Sequence, residues 1–423
     1  MTARKTTLSL TLALALVATG SVAAHAQVVA ITDATVHTEP GKVLQGATVL
    51  IRDGVVRAVG KTVAIPTGAR VIKAENKVVT AGLVAASSRL GLSEVSLESS
   101  TREGRLPGGK GADVIFAAYR AEDGYNATSV AIPVARAQGV TSAVVAPVGG
   151  LISGTSAWVS LADGLSPDVQ VASPLAMYAA MGLAAYGSAQ GSRGLGLLRL
   201  REVLDDARVY ARQKRAYERN QSRSMAASRL DLEALQPVLG RRIPLVLRAH
   251  RSSDILAGIR LARDSNVRVL FHGATEAWMV AKQLAEAGAG VILEPSANLP
   301  YNFDQIHVRD DNAHVLAEAG VPVAIAKLDS THNVGELRQQ AGIAVANGLS
   351  PERALAAITT VPASFFGVDR GTIARGKVAD LVVWSGDPFE LSTRAEHVFI
   401  GGVEQSLRTR QHMLLERYRT LPR

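Results

Sequence analysis

Apolar residues fall into two rhythms along this chain. Over residues 28–80 they come in short runs broken by turn-forming pairs. Residues 28–36 read as a first strand, and 46–52 alternates apolar and small side chains. Asp53-Gly54 then marks a tight hairpin into 55–59. The same rhythm returns near the other end, where 379–384 and 397–400 read as strands and Gly401-Gly402 as a turn. Between these blocks, strand and helix signals alternate. Strands are expected at 83–88, 142–146, 244–250, 267–272, 290–294 and 321–329, and helices at 254–263, 276–287, 312–319 and 334–346. Ser350-Pro351-Glu352 opens a further helix with a capping serine and a proline in its first turn. Residues 92–128, rich in Ser, Gly and charge, read as a mobile loop over one end. Residues 149–154 are glycine-rich without a phosphate-loop lysine and read as a turn at a strand end.

Alternating strands and helices imply a parallel sheet, and the length suits eight such units closed into a (β/α)8 TIM-like barrel. A doubly wound open sheet is the competing architecture. The two strand-rich ends are expected to meet in one small β-sandwich. The organisation is therefore a signal peptide at 1–26, a composite β-sandwich from 27–80 and 370–408, a barrel over 81–369 and a basic tail at 409–423.

The N-terminus changes the picture of compartment. Arg4 and Lys5 precede a short apolar stretch at 8–17, and Ala24-His25-Ala26 supplies a small-x-small cleavage site. The mature chain is expected to begin near Gln27, periplasmic or secreted, with no membrane span after cleavage. There is no cysteine, so disulfides, thiolate ligands and a cysteine nucleophile are excluded. Net charge is +9. Much of the excess is arginine in 192–229 and 408–423, and in the first stretch it alternates with acids, as on a solvated helix laced with side-chain pairs. With aromatics at 4%, nucleic acid is not an expected partner; a basic surface also suits an anionic one.

Several segments carry a family resemblance. LRAH at 247–250, FHGATEA at 271–277 and LDSTHN at 328–333 look like the fifth, sixth and eighth strands of an amidohydrolase barrel. SPERALAAITTVPASFFGV at 350–368, followed by GTIARGKVADLVVWSGDP at 371–388, resembles the closing segment of imidazolonepropionase-like amidohydrolases. VTAGLVAASSRLG at 79–91 resembles the first strand, but Ser87 and Arg89 stand where that family has a His-x-His pair. A serine hydroxyl is a poor zinc ligand and a guanidinium is none.

The resemblance implies a hydrolase of non-peptide C–N bonds, such as cyclic amides or imides. His250, His272 and Asp329 would be its metal ligands and Asp329 its catalytic base. No lysine on a fourth strand stands out as a bridging ligand, so the expected Zn2+ site is at most mononuclear, weak or absent. Side chains two apart on a strand share a face. Arg89, Arg248 and Lys327 are then expected to line the mouth as substrate-binding cations, with His332 just beyond. Asp329 has Lys327 as an alternative, structural partner. A Ser87 nucleophile with His250 or His272 as base is a further reading. Such a mouth favours an anionic small molecule. The alternative to an enzyme is a non-catalytic pseudoenzyme that binds such a ligand or pairs with an active relative; homo-oligomers are equally compatible.

Overall fold

The computed structural model describes residues 28–107, 114–164, 169–185, 187 and 191–419. The expected signal peptide lies outside the described residues. Five strands from the first end, β1 (Val29–Glu39), β2 (Lys42–Arg52), β3 (Val55–Gly60), β4 (Arg70–Lys73) and β5 (Val78–Ala81), join three from the other, β16 (Leu381–Trp384), β17 (Ala395–Ile400) and β18 (Val403–Glu404). They form one eight-stranded sheet in the order β18-β17-β16-β5-β1-β2-β3, with β4 also pairing β1. The ends meet where β5 and β16 run antiparallel, Ala81 opposite Leu381 and Val78 opposite Trp384. The buried Trp384 indole donates to Thr80 Oγ1 at 2.9 Å across this seam. Asp53 and Gly54 both adopt positive φ in the β2–β3 turn, as the Asp-Gly pair requires. Ile31, Val49, Ile51, Leu381 and Phe399 fill the core of this sheet.

The central region is built from β6 (Leu83–Ser88), β7 (Val140–Val145), β8 (Ile152–Thr155), β9 (Ala157–Ser160), β10 (Gln170–Ala172), β11 (Met177–Ala180), β12 (Leu245–Ala249), β13 (Val269–Gly273), β14 (Gly290–Leu293) and β15 (Val323–Ile325). They fall into a four-stranded sheet, β10-β9-β7-β6, and a six-stranded sheet, β15-β14-β13-β12-β11-β8. β11 to β15 are parallel neighbours. Helices Ser252–Asp264, Ala281–Glu286, Asn312–Glu318 and Leu337–Ala346 follow β12 to β15 in turn. The α/β alternation is thus present, with short strands buried throughout.

Two features differ from an ideal eightfold parallel barrel. First, β9 pairs β7 antiparallel and β8 pairs β11 antiparallel, so the consecutive stretch 152–160 bridges the two sheets in reverse. For β7 and β9 the reason is chain length: a parallel return needs a crossover of a dozen or more residues, and only 146–156 separate them. Second, no ladder joins β15 to β6, so the sheets do not close among the described residues. The two edges meet instead past their ends, where Arg89 N–H donates to the Ser330 carbonyl at 2.9 Å.

The expected mobile loop at 92–128 is, in its described part, packed. Leu92, Ile115 and Ala117 are buried, and bridges tie Ser93 to Arg102, Arg105 to Val148 and Arg120 to Thr155. The arginine-rich stretch forms the helix Arg193–Glu218, which buries Leu200, Val203, Leu204 and Tyr210 and carries an Arg199–Glu202 pair at 2.7 Å on its surface. Among the described residues no helix is long and apolar enough to cross a membrane.

Candidate functional site

Side chains from β6, the ends of β12 and β13, and the turn after β15 converge at the C-terminal ends of the parallel strands. Ser87 on β6 is buried, and its Oγ lies 3.0 Å from His272 Nε2. The same nitrogen is 3.8 Å from Asp329 Oδ1. Arg248 on β12 donates from Nη2 to that Oδ1 at 2.9 Å. Arg89 donates from Nε to the Asp329 backbone carbonyl at 2.8 Å. Two guanidiniums therefore hold one residue, by its carboxylate and by its peptide group.

Asp329 adopts φ +52, a left-handed conformation that a non-glycine residue occupies at a cost. This kink corrects the same-face expectation. β15 ends at Ile325, so strand alternation does not extend to 327–329. Lys327 is not paired with Asp329; its Nζ lies 2.5 Å from Glu294 Oε1 and 3.3 Å from Ser296 Oγ. Glu294 also accepts from Leu328 N–H at 3.0 Å, which pins the turn. His332 is exposed in the segment beyond.

His250 follows β12. Its Nδ1 lies 2.5 Å from Thr275 Oγ1 and 2.9 Å from Gln305 Nε2. The ring sits over Gly273, whose φ is +91 and where a Cβ would come within 2.5 Å of His250 Cε1. Burial, then the neighbouring Arg248, lowers His250 to about 4. His272 is 2% exposed. Burial lowers it to about 3, with Asp329 opposing the shift and Arg248 reinforcing it. Both imidazoles are neutral near neutral pH. Burial alone raises Asp329, but Arg248, His272, Arg89 and His250 together hold its carboxyl below the ordinary range. Burial also lowers Arg89; Asp329 opposes this, while Arg105, Arg248 and Arg102 add to it. Arg248 and Arg89 thus act on the Asp329 carboxylate, and Arg105 and Arg102 act on Arg89 in turn.

The donor set does not fit a tightly held divalent ion. Among the described residues no three His, Asp or Glu side chains gather as a metal site. Asp329 Oδ1 is engaged by a cation, and His250 Nδ1 by Thr275 and Gln305. Nor is the serine-nucleophile arrangement built. A relay needs serine and carboxylate on opposite ring nitrogens, whereas Ser87 and Asp329 share Nε2. His272 Nδ1 is buried without a partner among the described residues, as is Arg248 Nε. Unpaired buried donors and acceptors are costly.

Ser87, Arg89, Arg248, His272 and Asp329 come together; His250 stands beside them on the Thr275–Gln305 side, and Lys327 and His332 are elsewhere. Sequence reasoning missed Glu294, Gln305, Arg102 and Arg105. Glu294 ends an expected strand and was legible as a strand-end acid. Gln305 and the two arginines lie in loops without periodicity.

No match was found among curated proteins. A crystal structure of an amidohydrolase from Thermotoga maritima MSB8 is 27% identical with a TM-score of 0.80, covering 90% of this chain and 100% of that one. Molinate hydrolase is 20% identical with a TM-score of 0.54, covering 90% and 95%. An adenosine deaminase from Xanthomonas campestris, with bound Zn, is 18% identical with a TM-score of 0.51, covering 92% and 97%. Residues 244–404, which carry Arg248, His250, His272 and Asp329, match the amidohydrolase family, and the solved structures of similar fold include amidohydrolases.

Proposed function

We propose that this chain binds a small anionic molecule with an amide-like C–N group at its strand ends, without a tightly held metal ion. The observation that carries this reading is Arg248 seated on Asp329 at 2.9 Å, where the resemblance implies a metal ligand. Arg248 spends one Nη2 donor there and keeps others, including the unpartnered Nε. The guanidinium fork suits a ligand carboxylate. Arg89 supports the same anion while fixing the Asp329 peptide. Asp329, His272 and His250 offer acceptors and neutral imidazoles to the amide end. An imidazole with a pKa of about 3 is a weak general base at neutral pH.

A second reading is hydrolysis of a non-peptide C–N bond with Asp329 as base. The likeness to the amidohydrolase from Thermotoga maritima over 90% of the chain favours it. Titration with hydantoin-5-acetate and its neutral methyl ester tests the first reading. The acid is expected to bind at least about tenfold more tightly than the ester, and Arg248→Met to erase the difference. Equal affinity of acid and ester would remove the anion site. Following the ring in the same samples, with and without added zinc, separates the readings, since ring opening supports the second. A periplasmic or secreted location is part of the proposal, supported by the sequence of residues 1–26.

A further inference from the structure

A cavity of about 810 Å³ opens at the opposite end of the central strands. Pro244 precedes β12, Arg268 precedes β13, Gly288 precedes β14 and Pro322 precedes β15, and all four line it. It is separate from the mouth, which lies past the other ends of these strands.

Its lining combines two chemistries. Leu256, Ile259 and the buried Phe365 give it apolar surface. Arg241, Arg260, Arg263 and Arg268 supply four guanidiniums, and among the described residues Glu286 is the one lining carboxylate. Their protein partners are few. Arg241 donates to the neutral Asn266 side chain at 2.9 Å, and Arg263 meets Asp264 at 3.2 Å in an exposed pair. Arg268 donates to the Arg242 carbonyl at 3.3 Å, while its Nε is buried without a partner among the described residues. Clustered cations repel one another, and an exposed pair offsets little of that. The acceptor this cavity lacks is an anion.

We propose that the cavity is a second binding site, for a small amphiphilic anion: a phosphate or carboxylate head on the arginines and an apolar body against Leu256, Ile259 and Phe365. The volume is in the range of pockets that enclose small organic ligands. An inorganic anion would leave the apolar surface unused, and a neutral hydrocarbon would leave the guanidiniums unpaired. The proposal is independent of what the mouth binds.

Calorimetric titration of the full chain with decyl phosphate, below its micelle concentration, tests it. One-to-one binding is expected, with inorganic phosphate at least about tenfold weaker because it buries no apolar area. Arg260→Glu with Arg263→Glu, both exposed on the helix Ser252–Asp264, is expected to raise Kd at least about tenfold. Arg248→Met in the mouth is expected to leave Kd unchanged. Failure to bind, equal binding by the double variant, or loss on Arg248→Met would overturn the site. Phosphatidylglycerol vesicles form a separate arm. If they bind through Arg260 and Arg263 while decyl phosphate does not, the occupant is a lipid surface and the small-molecule proposal falls.

Discussion

At the scale of single residues, the site depends on positions that accept strain. Gly273→Ala would place a methyl group against the His250 ring in a backbone conformation that alanine disfavours. It is expected to cost about 2 kcal/mol in urea unfolding. The imidazoles set the acid response. His250 and His272 have folded pKa values of about 4 and 3, below the ordinary 6.5. As pH falls below 6.5 the unfolded chain takes up protons that the folded chain refuses. Stability is therefore full above that pH and lost downward, at roughly 1.4 kcal/mol per pH unit for each ring, until the folded values are reached. Asp329, also lowered, adds a loss in the same direction below its ordinary 3.8. Urea midpoints at pH 7, 6 and 5 should fall steadily, and His272→Asn should flatten the slope. Much of this site was legible. Ser87, Arg248, His250 and His272 sit on strands or at their ends, where alternation and motif both apply. Lys327 was not, because the left-handed Asp329 ends the pattern that placed it.

At the scale of elements, strands and loops divide the work. The buried strands supply Ser87, Arg248 and His272, and the segment 294–311 supplies Gln305. That segment is tied down by Asp304, which is 2% exposed, ion-paired to Arg193 and accepting from Leu183 N–H at 2.6 Å. Arg193→Met would leave a buried carboxylate without its cation. It is expected to lower stability by about 3 kcal/mol and to speed proteolysis within 296–311, with Gln305 losing its hold on His250. Unchanged cleavage would mean that the ion pair does not anchor the segment. Helix–strand alternation was readable because strands and helices differ in apolar period, even where residues 294–311 part β14 from the helix Asn312–Glu318. The reversed stretch 152–160 was not, since the glycines of 149–154 read as a turn where β8 in fact begins at Ile152.

At the scale of the whole molecule, both ends of the chain share one sheet, and the amidohydrolase likeness spans both ends and the central strands. The sheet from both ends was legible because its strands announce themselves by turn pairs. The gap between β6 and β15 was not, because pairing across it depends on geometry that no local pattern encodes. Charge follows the same scale. Apart from the basic stretches 192–229 and 408–423, arginines also gather at two opposite ends of the central strands, near Asp329 and around Arg268. Both ends are expected to prefer anions and to weaken with salt. Ser87→His with Arg248→Met would add an imidazole and withdraw the cation from Asp329. Zinc uptake is expected to rise in that variant; no rise would mean that Arg248 is not what keeps an ion out.

The metal content of the unaltered full chain is the most direct test. After incubation with zinc and dialysis against metal-free buffer, elemental analysis is expected to find well under one equivalent per chain. One firmly retained zinc per chain would contradict the account, since the ion would then hold the place assigned to the Arg248 guanidinium.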